Sequence, residues 1–357
     1  MSQPALGLLS SAAVMVIALV FVSAFDFGTF AGWVAFAMLG LIPMQIVVAV
    51  LWGASPAFAG SLRQPVKGVV LVLVTVVATA VITPLVFGSV GEGVSPPGPI
   101  PSHFAVIVVP TTFWLAIMMG GWPFSRMTSN ALVSGLLVLV ASYVVTYVVF
   151  RMFFNYDFLQ GAPVYLQSAP KGIYNGVSAL VFYVTALAVM FVVLCFDLWP
   201  LTRFPAIMTQ PVLGLVWTAI ALAGAALAVS IGIGRLGMDP MAFLTQVTAP
   251  FIFGSIIVLN MLQNSLFAKA SQPLKGVLNT LAAALLGVIL ARLYVLLAPS
   301  VTGVLPSGAP GYEREIWLVN ALLSVTFPFL IYFAVFLAYW PLVTNKVVVA
   351  EPAERQG

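Results

Sequence analysis

The chain has 357 residues, of which 62% are hydrophobic and only 6% are charged. Soluble domains carry roughly 25% charged residues, so this chain has too few charges to build a water-facing surface, and lipid must cover most of it. One cysteine, Cys195, and one histidine, His103, exclude an intramolecular disulfide and those haem, zinc and di-iron sites that need several such ligands. We therefore expect no metal and no cofactor, and the small net charge of +4 gives no reason to expect nucleic acid as a partner.

Ten apolar segments are each long enough to cross a bilayer, which takes about 20 residues. Their apolar runs are continuous and do not alternate, so they predict helices and not the strands of a β-barrel. The first run follows no basic region and precedes no clear cleavage site, which predicts a retained span and not a signal peptide. The fold class is thus an all-α polytopic membrane protein, with predicted spans at 6–25, 31–53, 67–88, 103–122, 130–152, 173–199, 211–233, 240–262, 273–297 and 316–341.

The loops between these spans form two sets that differ in charge. The loops that follow even-numbered spans, together with the C-terminal tail, are basic and hold Arg63, Lys67, Arg126, Arg203, Lys269, Lys275, Lys346 and Arg355. The other set is close to neutral and includes two longer loops, 91–101 and 155–171, which are either connectors or a lid over an outer mouth. The positive-inside rule then predicts both termini in the cytoplasm. The expected location is the cell membrane, as a multi-pass protein of the bacterial inner membrane.

Short motifs recur along the chain at nearly constant offsets, which is the mark of an internal repeat. Residues 1–7 resemble residues 208–214, and residues 64–68 resemble residues 272–276. Pro43 likewise falls opposite Pro250, and Pro110 opposite Pro328. Spans 1–4 are therefore expected to resemble spans 7–10. The expected parts are a four-helix repeat at 1–126, a central hairpin at 127–207, a second four-helix repeat at 208–346 and a cytoplasmic tail at 347–357.

A smaller unit recurs at the joints between even and odd spans. Odd spans mostly begin with Gln-Pro-x-x-Gly, and several even spans end in Trp-Pro, as at Trp122, Trp199 and Trp340. Either these are good helix ends used repeatedly, or the chain consists of five parallel hairpins around an axis along the membrane normal. The layout of five hairpins and ten spans resembles that of the bacterial tellurite-resistance and plant slow anion channel family. This likeness is one of architecture and not of motifs.

Polar residues deep in the spans are uncharged and lie beside prolines. A proline inside a helix frees a backbone carbonyl, which a nearby hydroxyl, amide or ligand can use. The expected helix breaks are at Pro43, Pro110, Pro250 and Pro328, and the expected solute-binding residues are Gln45, Thr111, Thr112, Gln246 and Thr326. The alternative is an ordinary kink packed against protein. Asp197, the carboxylate nearest to a span, is predicted to pair with Arg203 at the cytoplasmic interface.

Three arginines lie at the predicted outer ends of odd spans, and we expect Arg151, Arg235 and Arg292 to line an outer vestibule. Interfacial salt bridges with loop carboxylates are the alternative.

These features predict a channel or permease for a small polar or anionic solute, because no deep carboxylate is present to offset the charge of a cation. A non-catalytic membrane scaffold or accessory subunit of a larger complex is the second interpretation. A membrane-embedded enzyme is the third, although no catalytic constellation is recognisable and His103 is the only histidine. The expected partners are the lipid bilayer and a small-molecule solute, and both a homo-oligomer and a membrane complex are compatible with the sequence.

Overall fold

A computed structural model describes residues 2–343, so the predicted tail at 347–357, with Lys346 and Arg355, lies outside the described residues. Within residues 2–343, ten helices are long and apolar enough to cross a membrane, and each of their ends lies within five residues of the predicted one. They are α1 (Ala5–Val22), α2 (Phe27–Leu51), α3 (Val66–Ser89), α4 (Pro99–Met118), α5 (Ala131–Phe153), α6 (Gly176–Cys195), α7 (Val212–Arg235), α8 (Pro240–Met261), α9 (Leu274–Thr302) and α10 (Glu313–Phe336). The prediction of an all-α polytopic membrane protein is confirmed.

The joints between even and odd helices lie at one end of the bundle, here named the basic end after its loop charges, and the other loops lie at the neutral end. The only strands among the described residues are two short ones at the neutral end, β1 (Phe154–Asn155) and β2 (Tyr174–Asn175), which pair in parallel. Asp and Asn side chains begin several of the helices by accepting hydrogen bonds from exposed backbone N–H groups. These capping residues are Asp26 for α2, Asn130 for α5, Asn175 for α6 and Asp239 for α8.

The even-numbered helices form a closed inner ring. Helix α2 packs against α4 and α10, α6 packs against α4 and α8, and α8 also packs against α10. The odd-numbered helices lie outside this ring, and burial follows the division: 72% of the most apolar stretch of α8 is buried, against 28% for α9. Each outer helix covers two inner ones, with α1 on α8 and α10, α3 on α2 and α10, α5 on α2 and α4, α7 on α4 and α6, and α9 on α6 and α8.

Helices α3, α5, α7 and α9 each pack closely against the inner helix that precedes them in the chain, and only weakly against the one that follows. Hairpins that enter from the basic end are therefore not the main packing unit. The joints at the basic end add a second attachment, because they tie the start of each of these outer helices to the other inner helix that it covers.

The glutamine of the Gln-Pro-x-x-Gly joint makes the same two hydrogen bonds in three places. Its Oε1 accepts from the glycine N–H four residues later, at 3.2 Å in each case, and its Nε2 donates to a carbonyl at the end of an inner helix. The two bonds together satisfy a backbone N–H at the start of the outer helix and a carbonyl at the end of an inner helix. The three donors and acceptors are Gln3 with Met261 (3.0 Å), Gln64 with Phe336 (2.6 Å) and Gln210 with Met118 (2.8 Å).

The two remaining joints vary this pattern. Gln272 accepts from Gly276 N–H in the same way, but its Nε2 donates to Asp197 Oδ2 at 3.0 Å and not to a carbonyl. Helix α5 has no glutamine at its start, and there the indole N–H of Trp52 donates to the carbonyl of Ala131 at 3.0 Å. Every outer helix is therefore fixed by a side chain at its basic end.

Asp197 does not pair with Arg203 as the sequence predicts. Its carboxylate accepts from Lys275 Nζ at 2.7 Å and from the amides of Asn264 and Gln272. Arg203 lies over the ring of Trp199 instead, 5.5 Å from the centroid. The difference arises because Lys275 belongs to α9, which packs directly on α6, the helix that Asp197 follows.

Candidate functional site

Aromatic side chains close the interior of the inner ring at one level. The ring centroid of Phe113 on α4 lies 5.5 Å from that of Phe191 on α6 and 6.4 Å from that of Phe327 on α10. Helices α4 and α10 are not neighbours, because α2 lies between them, so the contact of Phe113 with Phe327 passes through the interior of the ring. All three side chains are buried. The axis of the bundle is therefore blocked by apolar rings at this level.

Gln45 joins two inner helices beside this level. Its side chain is 1% exposed, and its Nε2 donates to the carbonyl of Pro328 on α10 at 2.8 Å. Its Oε1 has no hydrogen-bond partner among the described residues. A buried acceptor without a partner is unfavourable by about 1–3 kcal/mol, so this oxygen is a ready acceptor for a water or a solute hydroxyl or N–H group.

The predicted threonines bond mainly within the protein. Thr111 donates to its own helix at Ile107 O (2.9 Å) and contacts the hydroxyls of Tyr183 and Thr146 on α6 and α5. Thr112 donates to Val108 O at 2.8 Å. These bonds orient the hydroxyl of Thr111 towards neighbouring helices.

Thr326 also faces an outer helix. It donates to Ala321 O at 2.6 Å and contacts the hydroxyl of Tyr294 on α9 at 2.7 Å. Gln246 is exposed and lines a cavity of about 120 Å³ among α8, α9 and α10, at the perimeter of the bundle. The five predicted residues are thus not brought together at one place, and their role in solute binding stays a prediction.

The four prolines lie within continuous inner helices, and each has a wide π-helical turn next to it or one turn away. Pro43 and Pro110 lie inside continuous helix, and a wide π-helical turn follows each of them, at Val47–Leu51 and Trp114–Met118. Pro250 and Pro328 follow such turns, at Leu244–Thr248 and Asn320–Thr326. Helix α6, which has no internal proline, has no π-helical turn. Wide turns of this kind often occur at functional sites. A further one ends α7 at Ser230–Arg235, where there is no proline.

The three predicted vestibule arginines have separate surroundings. Arg151 donates to the carbonyl of Ser168 at 2.6 Å, and Arg235 is the exposed last residue of α7. Arg292 opens on the cavity that holds Gln246. Helix α9 continues to Thr302, so Arg292 lies ten residues before its end and not at the end as the sequence predicts.

The alternative of salt bridges for these arginines fails as well. Among residues 2–343 the only ion pairs are Lys275 with Asp197 and Arg314 with Glu315. The loop carboxylates at this end make other contacts. Asp26 and Asp239 cap helices, and Glu92 accepts from Ser168 N–H at 2.6 Å. Hydrogen bonding to Ser168 holds the pKa of Glu92 below its usual value.

The long loop at 155–171 is fixed to the neutral end of the bundle. Arg151 and Glu92 both bond to the backbone of Ser168, and the hydroxyl of Tyr156 lies 2.9 Å from Nδ1 of His103 on α4. Burial raises the pKa of Tyr156 well above its usual value, so it is the neutral hydroxyl that meets the imidazole. His103 therefore has a structural partner, and the loop is anchored to α4, to the end of α5 and to the segment that holds Glu92.

A second cavity, of about 240 Å³, lies beside the ring and not within it. It is bounded by α4, α5, α6 and α7, and its walls are almost wholly apolar. The indole N–H of Trp114 donates to the hydroxyl of Thr218 at 2.8 Å in its wall, which leaves few polar groups free. Sequence reasoning identified neither this cavity nor the aromatic contact of Phe113 and Phe327. The sequence feature that could have pointed to them is the pair of prolines, because Pro110 lines the cavity and Phe327 directly precedes Pro328.

Comparison of the chain with known protein families, with curated proteins and with solved structures gives no match. The likeness to the tellurite-resistance and slow anion channel family therefore rests on the layout of the spans alone.

Proposed function

We propose that this membrane protein is a channel or permease for a small polar or anionic solute, with a path along the axis of the inner ring. The observation that carries the proposal is the closed ring of five inner helices whose interior is blocked by the contact of Phe113 with Phe327. Apolar constrictions gate pores because water and ions leave a narrow apolar space. Four of the five helices carry a proline and a wide turn, which supply places where a helix can bend.

The polar part of the path is assigned to Gln45. Its Oε1, unpaired among the described residues, lies where α2 meets α10, and within residues 2–343 the only buried charged side chain is that of Glu315 at the neutral end. A neutral amide suits a polar or anionic solute better than a cation, which needs carboxylates or several carbonyls. Thr111, Thr112, Gln246 and Thr326 remain candidates in this proposal only if their present hydrogen bonds or positions change when the path opens.

Replacing both Phe113 and Phe327 by alanine is expected to open the path. The variant, reconstituted in liposomes, should raise the flux of chloride, nitrate or urea by about tenfold or more, which corresponds to a barrier lower by about 1.4 kcal/mol. Halide-sensitive fluorescence inside the vesicles and osmotic swelling measure these fluxes. Phe253→Ala is the matched control, because Phe253 is a fully buried aromatic of inner helix α8 that faces Tyr294 on the outer helix α9.

Adding Gln45→Leu to the open variant should lower the flux again, whereas adding Gln246→Leu should not, because Gln246 lies outside the ring. If the folded double alanine variant passes none of the three solutes faster than Phe253→Ala does, the axial path is wrong. That result would favour the second candidate, a non-catalytic scaffold or accessory subunit, which the filled interior at Phe113 and Phe327 also suits.

We infer in addition that both termini are cytoplasmic and that the basic end faces the cytoplasm of a bacterial cell, on the strength of the loop charges. In a chain without Cys195, a single cysteine at Ser61 should resist a membrane-impermeant maleimide in intact cells. A cysteine at Val304, which is 87% exposed at the neutral end, should react. The reverse labelling would contradict this orientation.

The recurring joints support a proposal of related units, with residues 1–126 and 208–346 as two copies and 127–207 as the segment between them. Gln3 ties α1 to the end of α8, and Gln210 ties α7 to the end of α4 by the same pair of bonds. The inner helices follow the order α2, α4, α6, α8 and α10 around the closed ring. Gln3 bonds to the inner helix two places before α2, and Gln210 bonds to the one two places before α8. A duplicated chain would produce this correspondence, whereas independent helix ends would not require it.

A further inference from the structure

An arginine without a carboxylate partner lies within the membrane-spanning part of α9. Arg292 is exposed, and no described carboxylate lies within ion-pair distance of it. It follows Lys275 by 17 residues, which is about 26 Å along the helix at 1.5 Å per residue. The hydrocarbon layer is about 30 Å thick. If Lys275 marks one boundary of the hydrocarbon, Arg292 lies just inside the other, where a charge without a partner is unfavourable.

The guanidinium of Arg292 opens on the cavity of about 120 Å³ among α8, α9 and α10. The floor and walls include the apolar side chains of Val288, Val295 and Leu318. Val288 is itself 46% exposed on the outside of the bundle, so the cavity is open towards the surrounding lipid. Its shape therefore combines an apolar wall next to lipid chains with a cationic group near the headgroups.

A second arginine contributes to the same cavity. Arg314 at the start of α10 is 44% exposed and donates to Ser307 Oγ and to Glu315. Glu315 is already held by the hydroxyl of Ser307 and by the N–H of Gly308 (3.2 Å). The cavity thus has two arginines and one carboxylate, and that carboxylate has three donors of its own. One positive charge is left without compensation.

Polar groups from α8 complete the wall. The side chain of Gln246 makes no hydrogen bond with described residues, and the hydroxyl of Thr245, which donates to Met241 O at 2.8 Å, keeps a free acceptor. The exposed side-chain amide of Gln246 lines this cavity and supplies further N–H donors. An oxyanion in this cavity would meet two guanidinium groups and an amide, a set that matches the acceptor oxygens of a phosphate.

We propose that this cavity binds the phosphate group of an anionic phospholipid from the leaflet at the neutral end, with Arg292 and Arg314 as its ligands. The acyl chains would lie along the exposed apolar face of α9 beside Val288. The lipid phosphate supplies the negative charge that Arg292 lacks, and the position of Arg292 near the hydrocarbon boundary places it within reach of headgroups. This site is separate from the axial path and does not rest on the proposed transport function.

The test uses the full chain purified in a mild detergent. Binding of phosphatidylglycerol is titrated by native mass spectrometry, with a diacylglycerol of the same chains as the probe without phosphate and inorganic phosphate as the probe without chains. We expect Arg292→Gln to weaken the binding of phosphatidylglycerol by about tenfold, which is about 1.4 kcal/mol. Arg292→Lys should lose less, because it keeps the charge but not the fork of donors. Arg235→Gln, at another exposed arginine outside the cavity, should bind as the parent does.

Arg292→Gln is expected to fold, because Arg292 makes no hydrogen bond within the described protein. A folded Arg292→Gln variant that binds phosphatidylglycerol as tightly as Arg235→Gln would overturn the proposal. Equal binding of diacylglycerol and phosphatidylglycerol would also overturn it, because the phosphate would then contribute nothing. Displacement of the lipid by millimolar inorganic phosphate, with the same dependence on Arg292, would replace the lipid by a free oxyanion as the occupant.

Discussion

Alanine at Gly254 or Gly287 is expected to lower the free energy of unfolding by about 3 kcal/mol or more, at the upper end of overpacking effects. The two glycines lie where α8 and α9 touch backbone to backbone. A Cβ at Gly254 would lie 1.9 Å from the carbonyl oxygen of Ala283, and one at Gly287 would lie 1.9 Å from that of Pro250. Neither oxygen belongs to a flexible side chain, so the helices themselves must separate.

Thermal unfolding in detergent, followed by tryptophan fluorescence and by the fraction that stays monodisperse, measures this loss. Gly88→Ala is the control, because Gly88 lies inside α3 and a Cβ there meets nothing within 4 Å. Alanine also forms helix better than glycine, by about 1 kcal/mol, so the control should be unchanged or more stable. If Gly254→Ala and Gly287→Ala unfold at the same temperature as Gly88→Ala, α8 and α9 do not approach each other as described.

Alanine at Gly7 is expected to cost more stability than alanine at Gly214, although both glycines occupy the same place in the Gln-Pro-x-x-Gly joint. At Gly7 the added Cβ would lie 2.2 Å from the backbone oxygen of Met261. At Gly214 the nearest atom, also at 2.2 Å, is Met119 Sδ, the mobile part of a flexible side chain. We expect a loss of about 2–3 kcal/mol at Gly7 and about 1 kcal/mol at Gly214.

The same unfolding measurement ranks the two variants. Gln3→Leu and Gln210→Leu are useful companions, because they remove the hydrogen bonds of each joint without adding atoms near the inner helix end. A larger loss at Gly214 than at Gly7 would mean that the methionine is held as firmly as backbone, which contradicts the ranking.

The polar residues illustrate how far sequence reasoning reaches at a candidate site. Gln45 and Gln246 look alike in the chain, since both are amides near a proline of an even span. Gln45 is buried between α2 and α10, whereas Gln246 faces a cavity at the perimeter. The direction in which a helical side chain points depends on which neighbours surround the helix, and no single span encodes that.

Arg292 shows the same limit for charged residues. The sequence predicts it at a helix end, but α9 runs on to Thr302 because the residues from Leu293 to Ala298 continue the apolar helix. Arg292 and Arg314 are 22 residues apart in the chain. They line the same cavity because α9 and α10 meet at the neutral end. Only the packing of these helices makes one cavity of them.

The sequence by itself determined the all-α class, the ten spans and their ends, because apolar length and backbone hydrogen bonding leave few choices in a bilayer. It also revealed the Gln-Pro-x-x-Gly joints, because local capping chemistry is written in consecutive residues. The tertiary structure alone decided that even helices form the inner ring, that Phe113 meets Phe327 and that Asp197 takes Lys275. All ten spans are apolar enough to cross a membrane, so apolar length does not sort inner from outer helices. That division depends on contacts between helices that are distant in the chain, such as the close approach of α8 and α9 at Gly254 and Gly287.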